Sequence, residues 1–145
     1  MCSNGFRMKG DNISERLQRF GAAIVMLVRK LSSDRAGKLM QDQLLRAGTA
    51  GGSNYEEARS AQSRRDFVHK VSLAAKEMRE SLYWLAVVVR TEPELSSEAA
   101  NLKQEGTELV AILMKSASTA QQKETSGTKT GYRGREPAMG TGNTN

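Results

Sequence analysis

The sequence predicts an all-α protein, namely an antiparallel up-down-up-down four-helix bundle with disordered termini. Mainly apolar or small residues recur at spacings of four and three residues in four successive segments, which is the pattern of a helix face packed against other helices. Prolines occur at just two of the 145 positions, Pro93 and Pro137, so little interrupts long helices. Aromatic residues make up 5% of the chain, and such an aliphatic core suits helices better than a β-sandwich.

The first helix is predicted at about 12–31, after a flexible leader at 1–10. Asn12 or Asp11 can cap it, and Glu15 follows Asn12 at the spacing of a capping box. Ser32, Ser33 and Asp34 then provide a break and the next cap. The apolar seam of this helix consists of Ile13, Leu17, Phe20, Ile24, Leu27 and Leu31.

The second helix, at about 35–61, contains the glycine-rich segment GTAGGSN. Its seam runs through that segment without interruption and consists of Met40, Leu44, Ala47, Gly51, Asn54 and Ala58. We therefore place the glycines inside a helix, where each costs ~1 kcal/mol of helix propensity and leaves room for a neighbouring helix. Gly48, Gly52 and Tyr55 form a second stripe beside this seam, and we predict that this stripe faces another subunit.

The third and fourth helices are predicted at about 64–91 and 96–118. Ser63 and Asp66 offer caps for the third helix, Thr91 and Pro93 end it, and Ser96 or Ser97 caps the fourth. From residue 119 the chain becomes rich in Thr, Gly, Lys and Arg, with almost no apolar residue to bury. Residues 119–145 are therefore predicted to form a disordered basic tail.

Phosphate-binding loops are excluded by context. A Walker loop needs a lysine directly after its final glycine, and none follows Gly51 or Gly52. A dinucleotide-binding fingerprint must follow a β-strand, whereas the preceding segment KLMQDQLLRA is helical. The small-residue segment is thus interpreted as a packing surface.

The sequence contains few residues that could form a metal site or a nucleophilic catalytic site. A di-metal carboxylate site in a bundle needs paired Glu-x-x-His motifs, but His69 is the single histidine of the sequence. Cys2, the single cysteine, lies in the leader, and a Ser–His–Asp arrangement would lack a strained turn to present its serine. We predict no catalytic residue, no metal and no cofactor.

Three polar residues lie close to the predicted seams. Asn54 occupies a seam position, and we expect it to fix register between helices, as buried polar residues do in coiled coils. Glu57 and Glu80 lie near the packed faces and are grouped with the packing or oligomer-contact residues. An enzyme that uses Glu57 or Glu80 between subunits is the weakest alternative.

Positive charge is concentrated near the start of the chain. The formal net charge is +6 and the isoelectric point is about 9.7, while residues 1–33 carry six basic and two acidic residues, a net charge of +4. Such charges are consistent with an ordinary solvated face or with a surface that binds nucleic-acid phosphates. The residues proposed for nucleic-acid binding are Arg16, Arg19, Arg29, Lys30, Arg64, Arg65 and Lys70.

The sequence predicts a soluble cytoplasmic protein without a membrane segment. A single cysteine allows no internal disulfide, and the polar N-terminus lacks the apolar region of a signal peptide. The apolar run at 22–28 is too short to cross a bilayer.

The segment QLLRAGTAGGSNYEEARSAQSRRDFVHKVSLAAKEMRESLYWL resembles the bacterial four-helix bundle proteins of the 23S rRNA intervening-sequence family. That family includes the accessory variability determinant of diversity-generating retroelements. The resemblance covers the second and third helices well and the other two mainly by pattern. The segment GTAGGSN departs from the family by having more glycine than the usual version with Ile or Val. The matching positions are residues 43–47 (QLLRA), Asn54, Glu57, Asp66, Phe67, Ala75, Glu80, Ser81, Trp84 and Leu85.

The resemblance implies a homopentameric ring of four-helix bundles. For the retroelement branch it also implies binding to a reverse transcriptase and to RNA or DNA. We therefore expect a non-enzymatic oligomeric accessory protein. The alternative is a structural or adaptor homo-oligomer that binds protein partners only.

Overall fold

The computed structural model describes residues 11–128, and this part of the chain is helical without any β-strand. The helices are α1 (Asp11–Val28), α2 (Arg35–Arg59), α3 (Arg64–Thr91) and α4 (Ser96–Thr128), and a 3₁₀ turn at Pro93–Leu95 leads into α4. The all-α, four-helix prediction is confirmed.

Two of the predicted helix caps are present. The Asp34 carboxylate accepts a hydrogen bond from the Gly37 amide at 2.7 Å, and the Ser63 hydroxyl accepts one from the Asp66 amide at 3.0 Å. Each bond satisfies an amide that the first helical turn leaves without a backbone partner. The short connections after α1 and α2 therefore end in side chains that begin the next helix.

Contacts between α1, α2 and α3 show that consecutive helices run antiparallel. Gly48 of α2 lies against Ile24 of α1, and Gly52, further along α2, lies against Leu17, which comes earlier in α1. The end of α2 likewise meets the start of α3, where Lys70 Nζ is 2.7 Å from Glu57 Oε2.

The fourth helix closes the bundle against both α3 and α1. Gly106 of α4 faces Leu82 of α3 and Phe20 of α1, and a Cβ built on Gly106 would lie 2.6 Å from Leu82 Cδ2. Lys30, just after the end of α1, pairs with Glu98 near the start of α4 at 2.9 Å, so α4 is antiparallel to α1. The core between the four helices is mainly aliphatic. Its largest fully buried side chains include Phe20, Leu17, Ile24, Leu27, Leu44, Met78, Leu85, Leu109 and Leu113.

The ends of α1 and α4 differ most from the predicted ones. Helix α1 ends at Val28 rather than near 31. Leu31 is nevertheless buried, and its amide bonds to the Val28 carbonyl in a turn. Helix α4 continues past 118 to Thr128, so the first part of the predicted tail is helical. Burial had set the predicted end, whereas backbone hydrogen bonds continue a helix without burial when no breaker intervenes. The leader at 1–10 and residues 129–145 lie outside the described residues.

None of the helices within residues 11–128 combines the length and the apolar character that crossing a membrane requires.

Candidate functional site

The glycines of α2 lie at its contacts with both neighbouring helices. A Cβ built on Gly51 would lie 2.6 Å from Met78 Sδ of α3, and one built on Gly48 would lie 2.8 Å from Ile24 Cγ1 of α1. Gly52 faces Leu17 of α1, where the corresponding distance to Cβ is 3.7 Å. Glycine thus allows α2 to approach α3 on one side and α1 on the other.

This arrangement corrects the predicted subunit contact. The stripe of Gly48, Gly52 and Tyr55 was expected to have no partner within a single chain, but both glycines pack on α1 and Tyr55 is 6% exposed in the core. The physical reason is that α2 lies between α1 and α3 and buries two flanks. Periodicity identifies buried positions but not which helix covers them.

The polar residues near the seams form bonds within the chain. The Asn54 amide group donates to the Ala50 carbonyl of its own helix at 2.9 Å, so this bond sets no register between helices. Glu57 accepts from Lys70 of α3, and Glu80 accepts from Arg46 of α2. Both carboxylates therefore help to join α2 to α3.

Two of the basic residues proposed for nucleic-acid binding face carboxylates of α4. The Arg16 guanidinium contacts both oxygens of Glu105 at 2.8 Å and reaches Glu108 Oε2 at 2.8 Å. The hydrogen bond from Arg16 holds the pKa of Glu105 below its usual range, and the same bond raises the pKa of Arg16. Lys30 pairs with Glu98. These ion pairs join the first helix to the last.

The other five candidates differ in what they contact. Lys70 is bound to Glu57, whose hydrogen bond raises the pKa of Lys70. Arg19 pairs with Glu15 of its own helix at 2.6 Å, yet its side chain stays 76% exposed. Arg29 lies on the surface, with its guanidinium 3.6 Å from the Met26 sulfur. Arg64 and Arg65 are exposed at the start of α3 and form no ion pair with any residue in 11–128.

Shallow depressions are present on the surface of the described chain, and two of them are lined by residues of α3. One, of about 330 Å³, lies between α3 and α4 and is lined by Val89, Ala100, Lys103, Gln104 and Thr107. The other, of about 380 Å³, lies at the start of α3 and is lined by Ser63, Arg65, Asp66 and His69. Across residues 11–128, His, Cys, Asp and Glu side chains do not gather in groups of three or more that could hold a metal ion.

Family comparisons agree with this bundle. Residues 12–115 match the family described as 23S rRNA-intervening sequence protein. The chain belongs to this family. A solved structure, a protein of unknown function from the S23 ribosomal protein family of Bacteroides thetaiotaomicron VPI-5482, is 33% identical with a TM-score of 0.67, covering 72% of this chain and 97% of that one. No curated protein matches the chain.

This member of the 23S rRNA-intervening sequence family also exposes basic residues that the sequence analysis did not single out. Lys76, Arg79 and Arg90 of α3 and Lys103 of α4 are all exposed. The spacing of the first three indicates a shared helix side, so the sequence contained a signal for them. The prediction for α3 used only its apolar, buried side, and these residues lie on its exposed side.

Proposed function

We propose that this chain is a non-enzymatic accessory protein that contacts nucleic acid, a reverse transcriptase or both, as in diversity-generating retroelements. In this proposal the chain assembles with itself into a homopentamer. The name of its family refers to a sequence inserted in 23S rRNA, which is consistent with a role in contact with nucleic acid.

One observation carries the proposal, namely the exposed pair Arg64 and Arg65 at the start of α3. Neither forms an ion pair within residues 11–128, so both guanidinium groups are available to an anion from solution. Each phosphate contact by an arginine releases counterions and adds to affinity. Repetition of the pair around an oligomer would multiply a contact that is weak in one chain.

The structure divides the predicted basic residues into available and engaged groups. Arg19 and Arg29 are largely exposed and can join Arg64 and Arg65. Arg16, Lys30 and Lys70 already neutralise carboxylates of neighbouring helices. Because a phosphate would have to compete with those carboxylates, we assign these three residues a smaller part in binding.

Gel retardation of labelled RNA, DNA and an RNA–DNA hybrid tests this function at rising salt. The wild-type protein should retard at least one of them at low salt. Replacement of Arg64 and Arg65 by Gln should weaken binding and lower the slope of log K against log salt by about 0.7–0.9 per lost contact. Arg35→Gln with Lys38→Gln removes the same charge from an exposed turn of α2 and serves as the control. A wild-type protein that retards none of the three would contradict the proposal.

An adaptor that binds protein partners only is the second candidate. It is favoured by large apolar side chains on the surface, among them Leu39 at 51% exposed and Met26 at 52% exposed. Such residues mark a protein contact surface where they join into one contiguous apolar patch. A stable oligomer in light scattering, with no retardation of any nucleic acid, would favour the adaptor.

An enzyme with a site between subunits is the weakest candidate. Glu57 and Glu80, its proposed residues, are held in ion pairs with Lys70 and Arg46. A carboxylate that already accepts from a cation of the neighbouring helix suits a structural contact between helices better than contact with a substrate.

A further inference from the structure

A row of exposed residues follows one side of α3 along most of its length. Its members are separated by seven, four, three, four and seven residues, and every one is exposed. Residues three, four or seven apart lie on the same side of an α-helix. We call this row the α3 stripe, and it consists of Arg65, Ser72, Lys76, Arg79, Tyr83 and Arg90.

The acidic residues of the central part of α3 are both held by a cation of α2. Glu77 and Glu80 both bind Arg46 of α2, with Glu77 Oε2 at 3.1 Å from its Nη1. Glu77 precedes Arg79 by two positions, which is about 200° around a helix that turns by about 100° per residue. Glu77 therefore lies on the side away from the stripe. Glu80 follows Lys76 by four positions and so borders the stripe, but its carboxylate is held by Arg46 of α2.

Helix α4 carries a further exposed cation on the flank where it meets α3. Lys103 of α4 lines the same depression as Val89, the neighbour of Arg90 in α3. Glu98 of α4 is bound to Lys30, just after the end of α1, and Glu105 of α4 is bound to Arg16 of α1, on the other flank of α4. Acidic side chains of this helix are thus drawn away from Lys103.

The cations of this surface have no acidic partner within residues 11–128. None of the recorded ion pairs involves Arg65, Lys76, Arg79, Arg90 or Lys103. Arg90 donates one bond to the Ala86 carbonyl of its own helix, which leaves most of the donors of its guanidinium group available. Asp66, Glu77 and Glu80 directly follow Arg65, Lys76 and Arg79 along the chain, but Glu77 and Glu80 pair with Arg46 instead.

Tyr83 interrupts this basic row with an aromatic ring. Its side chain is 62% exposed, and its ring meets Trp84 edge-on with centroids 5.1 Å apart. An exposed ring between cations is the arrangement that proteins use to stack a nucleobase while basic groups hold the backbone.

We propose that the α3 stripe, together with Lys103, binds single-stranded nucleic acid, with the cations on its phosphates and Tyr83 stacked on a base. This inference deepens the proposed function and rests on it. The distance from Arg65 to Arg90 along the helix is about 38 Å at ~1.5 Å per residue, which suits an extended polyanion rather than a compact anion. A single strand is favoured over a duplex because its unpaired bases can offer their faces to Tyr83.

The decisive measurement is fluorescence anisotropy of a labelled single-stranded oligonucleotide titrated with the full chain. Lys76→Gln with Arg79→Gln should weaken binding about tenfold or more and lower the salt slope by about 1.4, or ~0.7 for each lost contact. The matched control is Arg35→Gln with Lys38→Gln, which removes equal charge from α2 and should change affinity less than about twofold.

Tyrosine variants test the stacking part. Tyr83→Ala should weaken single-strand binding roughly 5- to 150-fold, since stacking on one base contributes about 1–3 kcal/mol. Tyr83→Phe retains the ring and should bind like the wild type. Tyr83→Ala should leave binding to a duplex of the same length nearly unchanged. All substituted side chains are exposed, and circular dichroism checks that each variant is folded.

The outcomes separate this inference from the proposed function. If the wild-type chain binds no nucleic acid, the proposed function fails. If Arg64 and Arg65 matter but Lys76 and Arg79 do not, the proposed function stands and the stripe is overturned. If the stripe variants change oligomer mass rather than affinity, the stripe is a protein contact and the inference is also overturned. Equal loss of duplex and single-strand binding in Tyr83→Ala would overturn the single-strand assignment.

Discussion

Gly48 of α2 packs so tightly on Ile24 of α1 that an added Cβ would lie 2.8 Å from Ile24 Cγ1 and 2.9 Å from Cγ2. Ile24 is fully buried, and its β-branched side chain has few rotamers to adopt. The same Cβ on Gly52 would meet Leu17 at 3.7 Å, an ordinary contact distance. The crossing of α1 and α2 therefore depends on the missing side chain at one glycine and not at the other.

The two glycines should respond to alanine in opposite directions. Gly48→Ala should lower the free energy of unfolding by about 1–2 kcal/mol, because overpacking costs more than the helix propensity that alanine gains. Gly52→Ala should raise it by up to about 1 kcal/mol, because only the propensity term remains. Urea unfolding of both variants measures the difference. Stabilisation by Gly48→Ala would show that α1 can move away without cost.

The glycine segment shows what periodicity can and cannot predict about the fold. Uninterrupted spacing through Gly51 placed the segment correctly inside a helix. The predicted partner of Gly48 and Gly52, another subunit, was wrong, because spacing within one helix contains no information about its neighbours. That information is in the order of the helices around the core, which becomes clear from contacts such as Gly48 with Ile24.

The basic residues show the same limit for the candidate site. Sequence alone identified Arg16 and Arg64 as cations with equal weight. The structure distinguishes them, because Glu105 and Glu108 of α4 reach Arg16 across 89 and 92 positions of sequence, whereas Arg64 is exposed. Pairing over such separations depends on tertiary structure and cannot be derived from local charge.

The ion pair between Arg16 and Glu105 should make the free energy of unfolding depend on pH. The pKa of Glu105 is lower in the folded chain than its ordinary value, because Arg16 donates to the carboxylate. Because the pKa of Glu105 is lower in the folded chain than in the unfolded chain, this ion pair stabilises the fold at pH values above the unfolded pKa of about 4.3. The stabilisation is lost as the pH falls through the lower pKa of the folded chain, where Glu105 becomes protonated. Glu105→Gln should therefore cost about 0.5–1 kcal/mol near neutral pH and progressively less in acid.

Unfolding curves of the wild type and Glu105→Gln at matched pH values test this dependence. Glu15→Gln is a suitable control, because Glu15 pairs with Arg19 within one exposed helix face and such pairs contribute about 0.3–0.5 kcal/mol. Added salt should reduce both differences. An equal cost of Glu105→Gln at neutral and acid pH would argue that Glu105 acts through packing.

The cap of α3 should contribute measurably to stability. The Ser63 hydroxyl accepts the Asp66 amide, so Ser63→Ala leaves that donor without its partner and should cost about 1 kcal/mol. Ser63→Asp keeps an acceptor at the same position and should be nearly neutral. Ser72→Ala is the matched control, because the Ser72 hydroxyl bonds to the Val68 carbonyl inside the helix and alanine has a higher helix propensity. If Ser72→Ala cost as much as Ser63→Ala, the cap would have no special role.

The end of α4 should be separable from the stability of the bundle. Lys123 and Thr107 are both exposed on α4. Thr107 follows Gly106, which packs against Leu82 and Phe20 in the core. Lys123, in contrast, lies in residues 121–127, which are all exposed. Proline inside a helix removes a backbone hydrogen bond and clashes with the preceding turn, at a cost of about 3 kcal/mol or more.

Thr107→Pro should therefore destabilise the whole fold. Lys123→Pro should lower the helical signal in circular dichroism slightly and leave the unfolding midpoint unchanged. The reason is that the last turns of α4 are held by local hydrogen bonds such as that from Ser126 Oγ to the Gln122 carbonyl at 3.0 Å. Breaking those turns removes no apolar contact from the core. A clear fall of the midpoint in Lys123→Pro would instead show that the extension packs on another surface of the protein, and its stabilising contacts would then have to be sought outside the four-helix core.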